Sequence, residues 1–352
     1  MTDKIDTVLV TGGCGFVGSN LVEFLLENTD WNIRILDNLS VGNTKYIEQI
    51  ASQNNQVKLT LPGGTQNSGP STQDSKTTKP LDNSTNDPAQ QSVTVIEGDI
   101  RDKEDAERAT DGVDAVVNLA AITGVPISLE KPQETFEVNV SGTQNLLKAC
   151  RKNGVQKFVL ASSNAAVGDK EPPMHENMVP APISPYGASK LSGEALCKSY
   201  SASFEVDANA LRFANVYGPY SDHKTSVVMK FIRRAQEGKE LRIYGDGHQT
   251  RDFIHGKDIA RGVLSTLQSD VSGEVFQIGT REETEILDLA QRIKQLAEKS
   301  NTASPNVTHE DPRQGDIYRN YTDYDKANQV LGFEPKIDME TGLKHLWESY
   351  LD

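Results

Sequence analysis

Residues 8–18 read Val8-Leu9-Val10-Thr11-Gly12-Gly13-Cys14-Gly15-Phe16-Val17-Gly18. An apolar run here leads into spaced glycines and then into apolar residues at helical spacing, which predicts a buried strand, a turn and a helix. Gly12 lets the chain turn sharply, Gly15 lets backbone N–H groups approach a pyrophosphate, and Gly18 permits close packing of the helix. The helix N-terminus adds unpaired N–H donors and a positive dipole end. The stretch therefore predicts a dinucleotide-binding turn.

A second predicted strand, residues 33–36, ends beside an acidic side chain, Asp37. A carboxylate at that place can bind both hydroxyls of an adenosine ribose, and it would repel a 2′-phosphate. No arginine follows it directly. These features favour NAD over NADP as the cofactor.

Further strand patterns, at residues 93–96, 115–119, 157–161 and 208–213, alternate with helical stretches, notably 136–151 and 186–204. Such alternation is typical of βαβ units around a parallel sheet that is covered on both faces. The predicted fold class is α/β, a Rossmann-type doubly wound parallel sheet with a smaller C-terminal α+β lobe. We expect a dinucleotide-binding domain at 1–215 and a substrate-binding lobe at 216–352, with exchange of strands or helices between them allowed.

One stretch, residues 60–92, differs in composition from the rest of the chain. It has four prolines, three glycines and no aromatic residue, and only Leu61, Leu81 and Ala89 are apolar. Such a segment cannot offset its own ordering entropy, so we predict a disordered insertion. Because it precedes the third predicted strand, we expect it to meet the sheet at the N-terminal ends of strands, away from ligands.

The composition excludes several classes of protein. The net charge of −14 over 352 residues disfavours nucleic acid or an anionic membrane surface as a partner. No apolar run approaches the ~18–20 residues that span a bilayer, and the first residues lack a signal pattern. The cysteines, Cys14, Cys150 and Cys197, are too scattered for a disulfide framework or a metal site. We therefore expect a cytoplasmic protein without a metal.

A second motif, Ser184-Pro185-Tyr186-Gly187-Ala188-Ser189-Lys190, predicts the start of a helix. Ser184 suits the N-cap and Pro185 the first helical position. Tyr186 and Lys190 are then neighbours on one helix face. A tyrosine with a pKa of ~10 is a poor base at neutral pH, but a nearby ammonium and a positive nicotinamide ring would favour the phenolate. Tyr186 is the predicted general base for a sugar hydroxyl.

The fifth predicted strand ends in Leu160-Ala161-Ser162-Ser163-Asn164. The C-terminal ends of strands hold ligands in open α/β sheets, and a serine hydroxyl there can bond the substrate oxygen that Tyr186 deprotonates. We select Ser163 rather than Ser162 for this role.

Together these motifs resemble the extended short-chain dehydrogenase/reductase superfamily and, more narrowly, its NAD-dependent UDP-hexose 4-epimerase branch. The resemblance covers nearly the whole chain outside residues 60–92. It also rests on further ordered matches, among them Gly98-Asp99-Ile100-Arg101-Asp102, Asn118-Leu119-Ala120-Ala121, Leu211-Arg212-Phe213-Ala214-Asn215-Val216-Tyr217-Gly218-Pro219 and Pro312-Arg313-Gln314-Gly315-Asp316.

The resemblance implies two sets of binding residues and a homodimer formed by the helices at 136–151 and from 186 onward. The NAD set is Gly12, Gly15, Phe16, Val17, Gly18, Asp37, Asn38, Ser40, Gly42, Asp99, Ile100, Leu119, Ala120, Ala121, Tyr186, Lys190 and Phe213. The UDP-sugar set is Thr123, Ser163, Asn215, Val227, Val228, Arg242, Tyr244, Arg251, Arg313, Asp316 and Asn320. In the second set, Arg251 and Arg313 would neutralise the diphosphate, since guanidinium matches phosphate geometry.

The loop after Ser163 indicates which reaction of the family to expect. Dehydratases and decarboxylases of this superfamily carry an acid in this loop, whereas here it reads Asn164-Ala165-Ala166-Val167-Gly168. The resemblance therefore implies C4 epimerisation of a UDP-hexose through a 4-keto intermediate. At Asn320 the family sets the room for a 2-acetamido group, and the mid-sized side chain suggests that UDP-GlcNAc/UDP-GalNAc is accepted with UDP-Glc/UDP-Gal.

Several alternatives stay open at this point. One is UDP-glucuronate chemistry, either 4-epimerisation or decarboxylation. Another is a carbonyl reductase that uses free NADH. A third, from a different class, is a non-catalytic NAD-binding sensor. The presence of Ser163, Tyr186 and Lys190 disfavours this last alternative.

Overall fold

The computed structural model describes residues 4–54, 56–63, 90–300, 304–312 and 317–350. Its strands are β1 (Thr7–Thr11), β2 (Asn32–Asp37), β3 (Val57–Thr60), β4 (Gln91–Glu97), β5 (Ala115–Asn118), β6 (Lys157–Ser163), β7 (Asp207–Phe213), β8 (Asn215–Tyr217), β9 (Leu241–Tyr244), β10 (Thr250–Arg251), β11 (Phe253–His255), β12 (Val275–Ile278), β13 (Thr284–Glu285) and β14 (Val307–Glu310). Its α-helices are α1 (Phe16–Asn28), α2 (Thr44–Ser52), α3 (Lys103–Thr110), α4 (Val125–Glu130), α5 (Pro132–Phe136), α6 (Thr143–Asn153), α7 (Pro185–Ser203), α8 (Val227–Gln236), α9 (Gly256–Leu267), α10 (Ile286–Lys299), α11 (Asp325–Leu331) and α12 (Met339–Glu348).

The large sheet has the strand order β12-β7-β6-β5-β1-β2-β4-β3, and its neighbouring strands are all parallel. The chain leaves β1 towards β2 and later returns to β5 on the other side of β1. Ligands of open α/β sheets bind at such a switch point, beyond the C-terminal ends of the strands. The predicted Rossmann-type α/β fold is confirmed, and the motif at residues 11–18 lies at the switch point.

Both faces of the large sheet are covered, and its central strands β1 and β5 are accordingly short apolar runs that are almost wholly buried. In β1, Val8 and Val10 join the core cluster of one face and Leu9 joins that of the other. Helices α1 and α9 pack together on the first face. Gly256 allows that contact, because a Cβ there would lie 2.7 Å from the amide of Asn20. Helices α3, α6 and α7 cover the second face.

A third core cluster lies in a smaller lobe formed by α8, α10, α12 and the parallel pair β9 and β14. The chain does not stay in this lobe after residue 215, because β12 pairs with β7 and α9 covers the large sheet. Among the described residues, no helix is long and apolar enough to cross a membrane.

The bounds predicted for the insertion, residues 60–92, are wrong at both ends. Thr60 closes a strand, β3, which the sequence analysis missed because four residues give too short a pattern, and β4 begins at Gln91. Residues 64–89 lie outside the described residues. Since β3 runs parallel to β4, the segment leaves β3 at its C-terminal end and enters β4 at its N-terminal end. The expectation that it meets only N-terminal strand ends is therefore also wrong.

The helix predicted at 136–151 is interrupted. Helix α5 ends at Phe136, a π-helical segment covers Glu137–Gly142, and α6 continues from Thr143. The wider turn brings Asn139 inward, where its amide donates to the carbonyl of Ile122 at 3.0 Å and to the hydroxyl of Ser189 at 2.9 Å. The segment thus fastens the loop after β5 to helix α7, a use that is common for π-bulges.

The connection between β3 and β4 yields a prediction about residues 64–89. Replacing them with a flexible linker of about 15 residues should leave kcat within a few-fold of wild type, because a crossover between parallel strands needs about a dozen residues or more and this linker is long enough. Activity assays and thermal unfolding of the purified variant check this.

The matched control deletes residues 63–90 and joins Pro62 directly to Gln91. Gln91 pairs with Val57, the first residue of β3. Leu61 and Pro62 alone would then have to connect the end of β3 to the start of β4, which lies beside the start of β3. We expect this variant to lose β3 and to melt at a lower temperature. A collapse of kcat in the linker variant with its melting temperature unchanged would show that residues 64–89 serve the reaction.

Candidate functional site

The glycine turn after β1 leaves no room for side chains. Gly12 has φ of 68°, and a Cβ there would lie 2.9 Å from the backbone of Ala120, which follows β5. A Cβ on Gly18 would collide with the Gly12 carbonyl oxygen. The turn is closed by the Gly15 N–H, which donates to that same carbonyl at 3.1 Å. Helix α1 therefore begins tightly against the turn, with its N-terminus at the switch point of the sheet.

The carboxylate of Asp37 is fixed at the edge of this turn. It is buried at the end of β2, where Oδ2 accepts the N–H of Cys14 at 3.0 Å and Oδ1 accepts that of Leu39 at 2.9 Å. Burial raises the pKa of Asp37, and the two backbone hydrogen bonds oppose that rise. The Gly42 backbone lies so close that a Cβ would be 3.0 Å from Oδ2.

A cavity of about 340 Å³, the glycine-turn cavity, opens beside these residues. Its lining includes fourteen of the residues predicted to bind the cofactor, namely Gly12, Gly15, Phe16, Val17, Gly18, Asp37, Asn38, Ser40, Gly42, Asp99, Ile100, Leu119, Ala120 and Ala121. Asp99 forms a two-point ion pair with Arg101, which lowers the pKa of the Asp99 carboxyl to about 2. Asn38 also donates to Asp99, at 2.9 Å, so the side chains on this wall hold one another in place.

Helix α7 carries the predicted catalytic pair. Its N-cap is confirmed, since the Ser184 hydroxyl accepts the N–H of Gly187 at 3.1 Å and Pro185 opens the helix. Tyr186 lies beside Ser163, at the end of β6, and both side chains line the same cavity. The Lys190 ammonium lies 5.8 Å from the Tyr186 ring centroid and donates to the Ala161 carbonyl at 2.8 Å.

The structure distinguishes the two candidate serines. Ser163 faces Tyr186, and it also caps the short turn that follows β6 by accepting the N–H of Ala165 at 3.2 Å. Ser162 points to the other side of the strand, where its hydroxyl donates to Glu194 at 2.5 Å. Of the two, Ser163 is brought to Tyr186, as the sequence analysis selected.

The protein without a cofactor does not by itself favour the Tyr186 phenolate, and the expected effect of Lys190 together with a nicotinamide ring stays a prediction. Burial raises the pKa of Tyr186, and only the Ser163 hydrogen bond opposes it. Burial also lowers the pKa of Lys190 to about 8, partly offset by the charge of Glu194. An ammonium that is itself desolvated and several ångströms away does not outweigh the loss of water around the phenol.

A buried ion pair lies directly behind these groups. Glu194, one helical turn after Lys190, accepts two hydrogen bonds from Arg212 of β7, at 2.8 and 2.7 Å, and both side chains are 4% exposed. The Ser162 hydroxyl adds a third bond to the same carboxylate. The cluster therefore joins β6, α7 and β7, the elements that carry Ser163, Tyr186 with Lys190, and Phe213.

Two more cavities continue the glycine-turn cavity into one cleft. An inner cavity of about 230 Å³ is lined by Ser163, Tyr186, Lys190 and Phe213, and it shares Phe16, Val17, Leu119 and Thr123 with the glycine-turn cavity. An outer cavity of about 780 Å³ shares Ser163 and Tyr186 with the inner one and extends to the small lobe. The predicted sugar-nucleotide residues that line this outer cavity are Ser163, Asn215, Val227, Val228, Arg242, Tyr244 and Arg251.

Three predicted residues of the substrate set are not part of this arrangement. Arg313 and Asp316 lie outside the described residues. Asn320 is buried and lines none of the three cavities; its amide oxygen faces the Nδ2 of Asn164 at 3.4 Å. The predicted role of Asn320 beside the sugar stays a prediction.

Other cleft residues were missed from the sequence. Gln249, Phe253, Ser226 and Lys224 line the inner or the outer cavity. They lie in the C-terminal half, where short strands and loops give no regular pattern. The dipeptide His223-Lys224 after Tyr217-Gly218-Pro219 was the one available signal, since both side chains line the glycine-turn cavity.

The site has the features that a dinucleotide cofactor requires. Close backbone contacts leave no space for a Cβ at Gly12 and Gly18 of the glycine turn, and helix α1 begins at this turn. Asp37 presents a carboxylate that can bind a ribose beside it. The residues therefore fit NAD. No group of three potential metal ligands occurs among the described residues.

The fold and this Ser163–Tyr186–Lys190 arrangement define a dinucleotide-binding protein of the short-chain dehydrogenase/reductase type. The model of the NAD dependent epimerase/dehydratase family matches residues 8–279. The chain belongs to this family.

Solved structures of three epimerases resemble the chain over nearly its whole length. The UDP-glucose 4-epimerase of Thermotoga maritima, with UDP-glucose, is 31% identical with a TM-score of 0.80 and 98% of each chain covered. The UDP-N-acetylglucosamine 4-epimerase of Methanobrevibacter ruminantium is 29% identical with a TM-score of 0.81 and 99% of each chain covered. The UDP-glucuronic acid 4-epimerase of Bacillus cereus, in complex with UDP-glucuronic acid and NAD, is 29% identical with a TM-score of 0.78; 97% of this chain and 98% of that one are covered.

The buried ion pair yields a stability prediction. Glu194→Gln leaves the Arg212 guanidinium buried without its counter-charge, so we expect a loss of about 3–5 kcal/mol in the free energy of unfolding. Urea unfolding of wild type and variant measures the difference.

The double variant Glu194→Leu/Arg212→Met serves as the control, because it removes both charges and keeps the volume apolar. It should be more stable than Glu194→Gln. A Glu194→Gln variant within about 0.5 kcal/mol of wild type, the range of ordinary surface changes, would show that the pair does not hold these elements together.

Proposed function

We propose that this protein is an NAD-dependent epimerase that inverts C4 of a UDP-hexose, with UDP-Glc and UDP-Gal as the simplest pair. One observation carries the proposal. The Ser163 and Tyr186 side chains line both the inner and the outer cavity, at the place where the two meet, and Lys190 lines the inner one. A sugar held from the small lobe would thus present its reacting carbon to Tyr186 and to the cofactor side of the cleft together.

In this proposal each of the three side chains has a separate task. Tyr186 accepts the proton of the sugar 4-hydroxyl at its phenolic oxygen and later returns a proton to the same oxygen of the sugar. Ser163 donates to that sugar oxygen and so holds it at Tyr186. Lys190 supplies positive charge near the phenol. NAD, held by the glycine turn and Asp37, would supply hydride transfer from and to C4, and inversion requires the sugar to turn in the cleft between the two transfers.

The inner cavity supports simple epimerisation over elimination or decarboxylation. None of the described residues that line it is a carboxylate. Asn164 and Ala165 occupy the places where other members of the superfamily carry acids, and the Asn164 amide donates to Thr322 at 2.9 Å, away from the cavity. A 4-keto sugar formed there has no acid beside it to promote loss of a neighbouring group. We therefore expect the hydride to return to C4.

We further propose that residues 1–215, joined by α9 and β12, hold NAD through the predicted cofactor set, and that the remainder of 216–352 holds the UDP group. The outer-cavity residues support the second half of this division. Arg251 is held by its guanidinium, which donates to the Ile317 carbonyl at 2.7 Å, and it faces the cavity from β10. Arg313 and Asp316 keep their predicted roles as part of the same proposal.

The predicted homodimer remains part of the proposal. Helices α4 and α5, which contact α7, expose an apolar patch of Ile127, Leu129 and Phe136; Leu129 is 62% and Phe136 is 50% exposed. A partner's helices would cover such a patch. A cytoplasmic location stays a prediction of the sequence. Acceptance of UDP-GlcNAc and UDP-GalNAc likewise stays a prediction of the sequence.

The function is tested with purified protein, several UDP-sugars and no added cofactor, with products followed by NMR. Wild type should form the C4 epimer, since NAD that is regenerated in each cycle stays bound. Tyr186→Phe should lower kcat at least about 100-fold, because a general base contributes that much or more. Net NADH formation, release of CO₂ or no product at all would contradict the proposal.

Tyr200→Phe is the matched control for this substitution. Tyr200 lies on the same helix and packs on Phe204 with ring centroids 5.0 Å apart, outside the cleft. Its loss of a hydroxyl should leave kcat unchanged. The assignment of Tyr186 fails if Tyr186→Phe keeps more than about a tenth of the wild-type kcat.

A further inference from the structure

Lys224 is a cation in the cleft that the proposed epimerisation does not use. It follows the short strand β8 in a turn whose backbone is fixed, because the Lys224 N–H donates to the Ser221 carbonyl at 2.9 Å and Arg233 donates to the Lys224 carbonyl at 2.6 Å. Its side chain lines both the inner cavity, with Ser163 and Tyr186, and the glycine-turn cavity. The ammonium thus lies on the border between the proposed sugar and cofactor sites.

The Lys224 ammonium has no acidic partner in the cleft. In the part of the chain that the structure describes, its one side-chain hydrogen bond is to the Thr123 hydroxyl at 3.2 Å, and no carboxylate pairs with it. Lys257 and Lys326 differ from it, since Lys257 lies 3.1 Å from Glu23 and Lys326 lies 2.7 Å from Glu274. Burial lowers the pKa of Lys224 with no acidic neighbour to oppose it.

A partly desolvated ammonium without a counter-charge is a site for an anion. Two anions could reach it, the phosphates of the dinucleotide and a carboxylate on the sugar. The phosphates already have the N-terminus of α1 and the backbone of the glycine turn. The sugar has no such cation, because Lys190 is committed to the Ala161 carbonyl and to Tyr186.

We propose that Lys224 and Thr123 bind the C6 carboxylate of a UDP-hexuronic acid and so make this substrate class the preferred one. The inference rests on the proposed epimerase function and names the substrate of the same site. In a hexuronic acid the carboxyl carbon is bonded to C5, the neighbour of C4, so a carboxylate lies in the same cavity as the carbon that reacts at Tyr186. Because Thr123 accepts from Lys224, its own hydroxyl proton is available to the second carboxylate oxygen.

The test measures kcat/KM for UDP-glucuronic acid and for UDP-glucose with wild type and Lys224→Gln. Wild type should prefer UDP-glucuronic acid by at least about tenfold. Lys224→Gln should lose at least about 30-fold on UDP-glucuronic acid, chiefly through KM, since breaking a desolvated charge pair costs at least that much. UDP-glucose turnover should stay within a few-fold.

Two further variants sharpen the result. Thr123→Val keeps the ammonium and removes the second donor. It should lower kcat/KM for UDP-glucuronic acid selectively, but by less than Lys224→Gln does. Lys198→Gln removes a positive charge from the exposed surface of α7, where Lys198 pairs with Glu274 at 3.8 Å. It should change kcat/KM for neither substrate. Circular dichroism shows that each variant is folded.

Each remaining outcome contradicts the inference in a recognisable way. If Lys224→Gln lowers kcat/KM for both substrates equally and the purified variant has lost its NAD, the lysine binds the dinucleotide. If neither substrate changes, the lysine binds no part of the substrate. Wild type that epimerises UDP-glucose and ignores UDP-glucuronic acid overturns this inference and leaves the proposed function standing, whereas a protein inactive on every UDP-sugar overturns the proposed function itself.

Discussion

The ion pair between Glu194 and Arg212 is the interaction on which the arrangement of the site depends. It is buried, it is doubly hydrogen-bonded, and it takes a third bond from Ser162. The Ser162 bond ties strand β6, which carries Ser163, to the Glu194 carboxylate, and the ion pair fixes the distance between helix α7 and strand β7. A carboxylate and a guanidinium that have left water must remain together, so this spacing cannot relax without a large cost.

Close contacts between backbones complete what the ion pair begins. At Gly12 and Gly18 the turn and helix α1 approach until no side chain fits, and at Gly187 helix α7 approaches the Ala165 carbonyl in the same way. The π-helical segment adds Asn139, which connects the loop after β5 to α7. The cleft is therefore bounded by elements that are fixed against one another at each end. Its outer part, which reaches the small lobe, is lined by long polar side chains such as Arg242 and Arg251.

The parts of the fold and site that could be predicted from the sequence are those with local physical signals. The glycine turn, the acid after β2, the N-cap at Ser184 and the Tyr186–Lys190 spacing all depend on residues within a few positions of one another. Strand β3 was missed because four residues show no period, and the π-helical segment was missed because Asn139 is drawn inward by partners on other elements. The contact of Asn320 with Asn164 could not be predicted, because it depends on the loop after β6.

Electrostatics was the least predictable part of the site. The sequence places an ammonium one helical turn from Tyr186, and this suggests a lowered pKa for the phenol. The structure shows that burial acts on both groups, raising the pKa of Tyr186 and lowering that of Lys190 to about 8. Burial depends on the whole fold, so no local pattern reveals it. Lys224 illustrates the same limit, since its lack of an acidic neighbour is a property of the assembled cleft.

The central claim is that C4 loses and regains the same hydrogen within one closed cleft, and an isotope experiment tests it most directly. The protein is incubated with a UDP-sugar that carries deuterium at C4, in ordinary water, and the epimeric product is examined by NMR and mass spectrometry. The account predicts that the product keeps its deuterium at C4 and takes none of its C4 hydrogen from water. Loss of the label to solvent during epimerisation would show that a proton rather than a hydride leaves C4, and this would contradict the account.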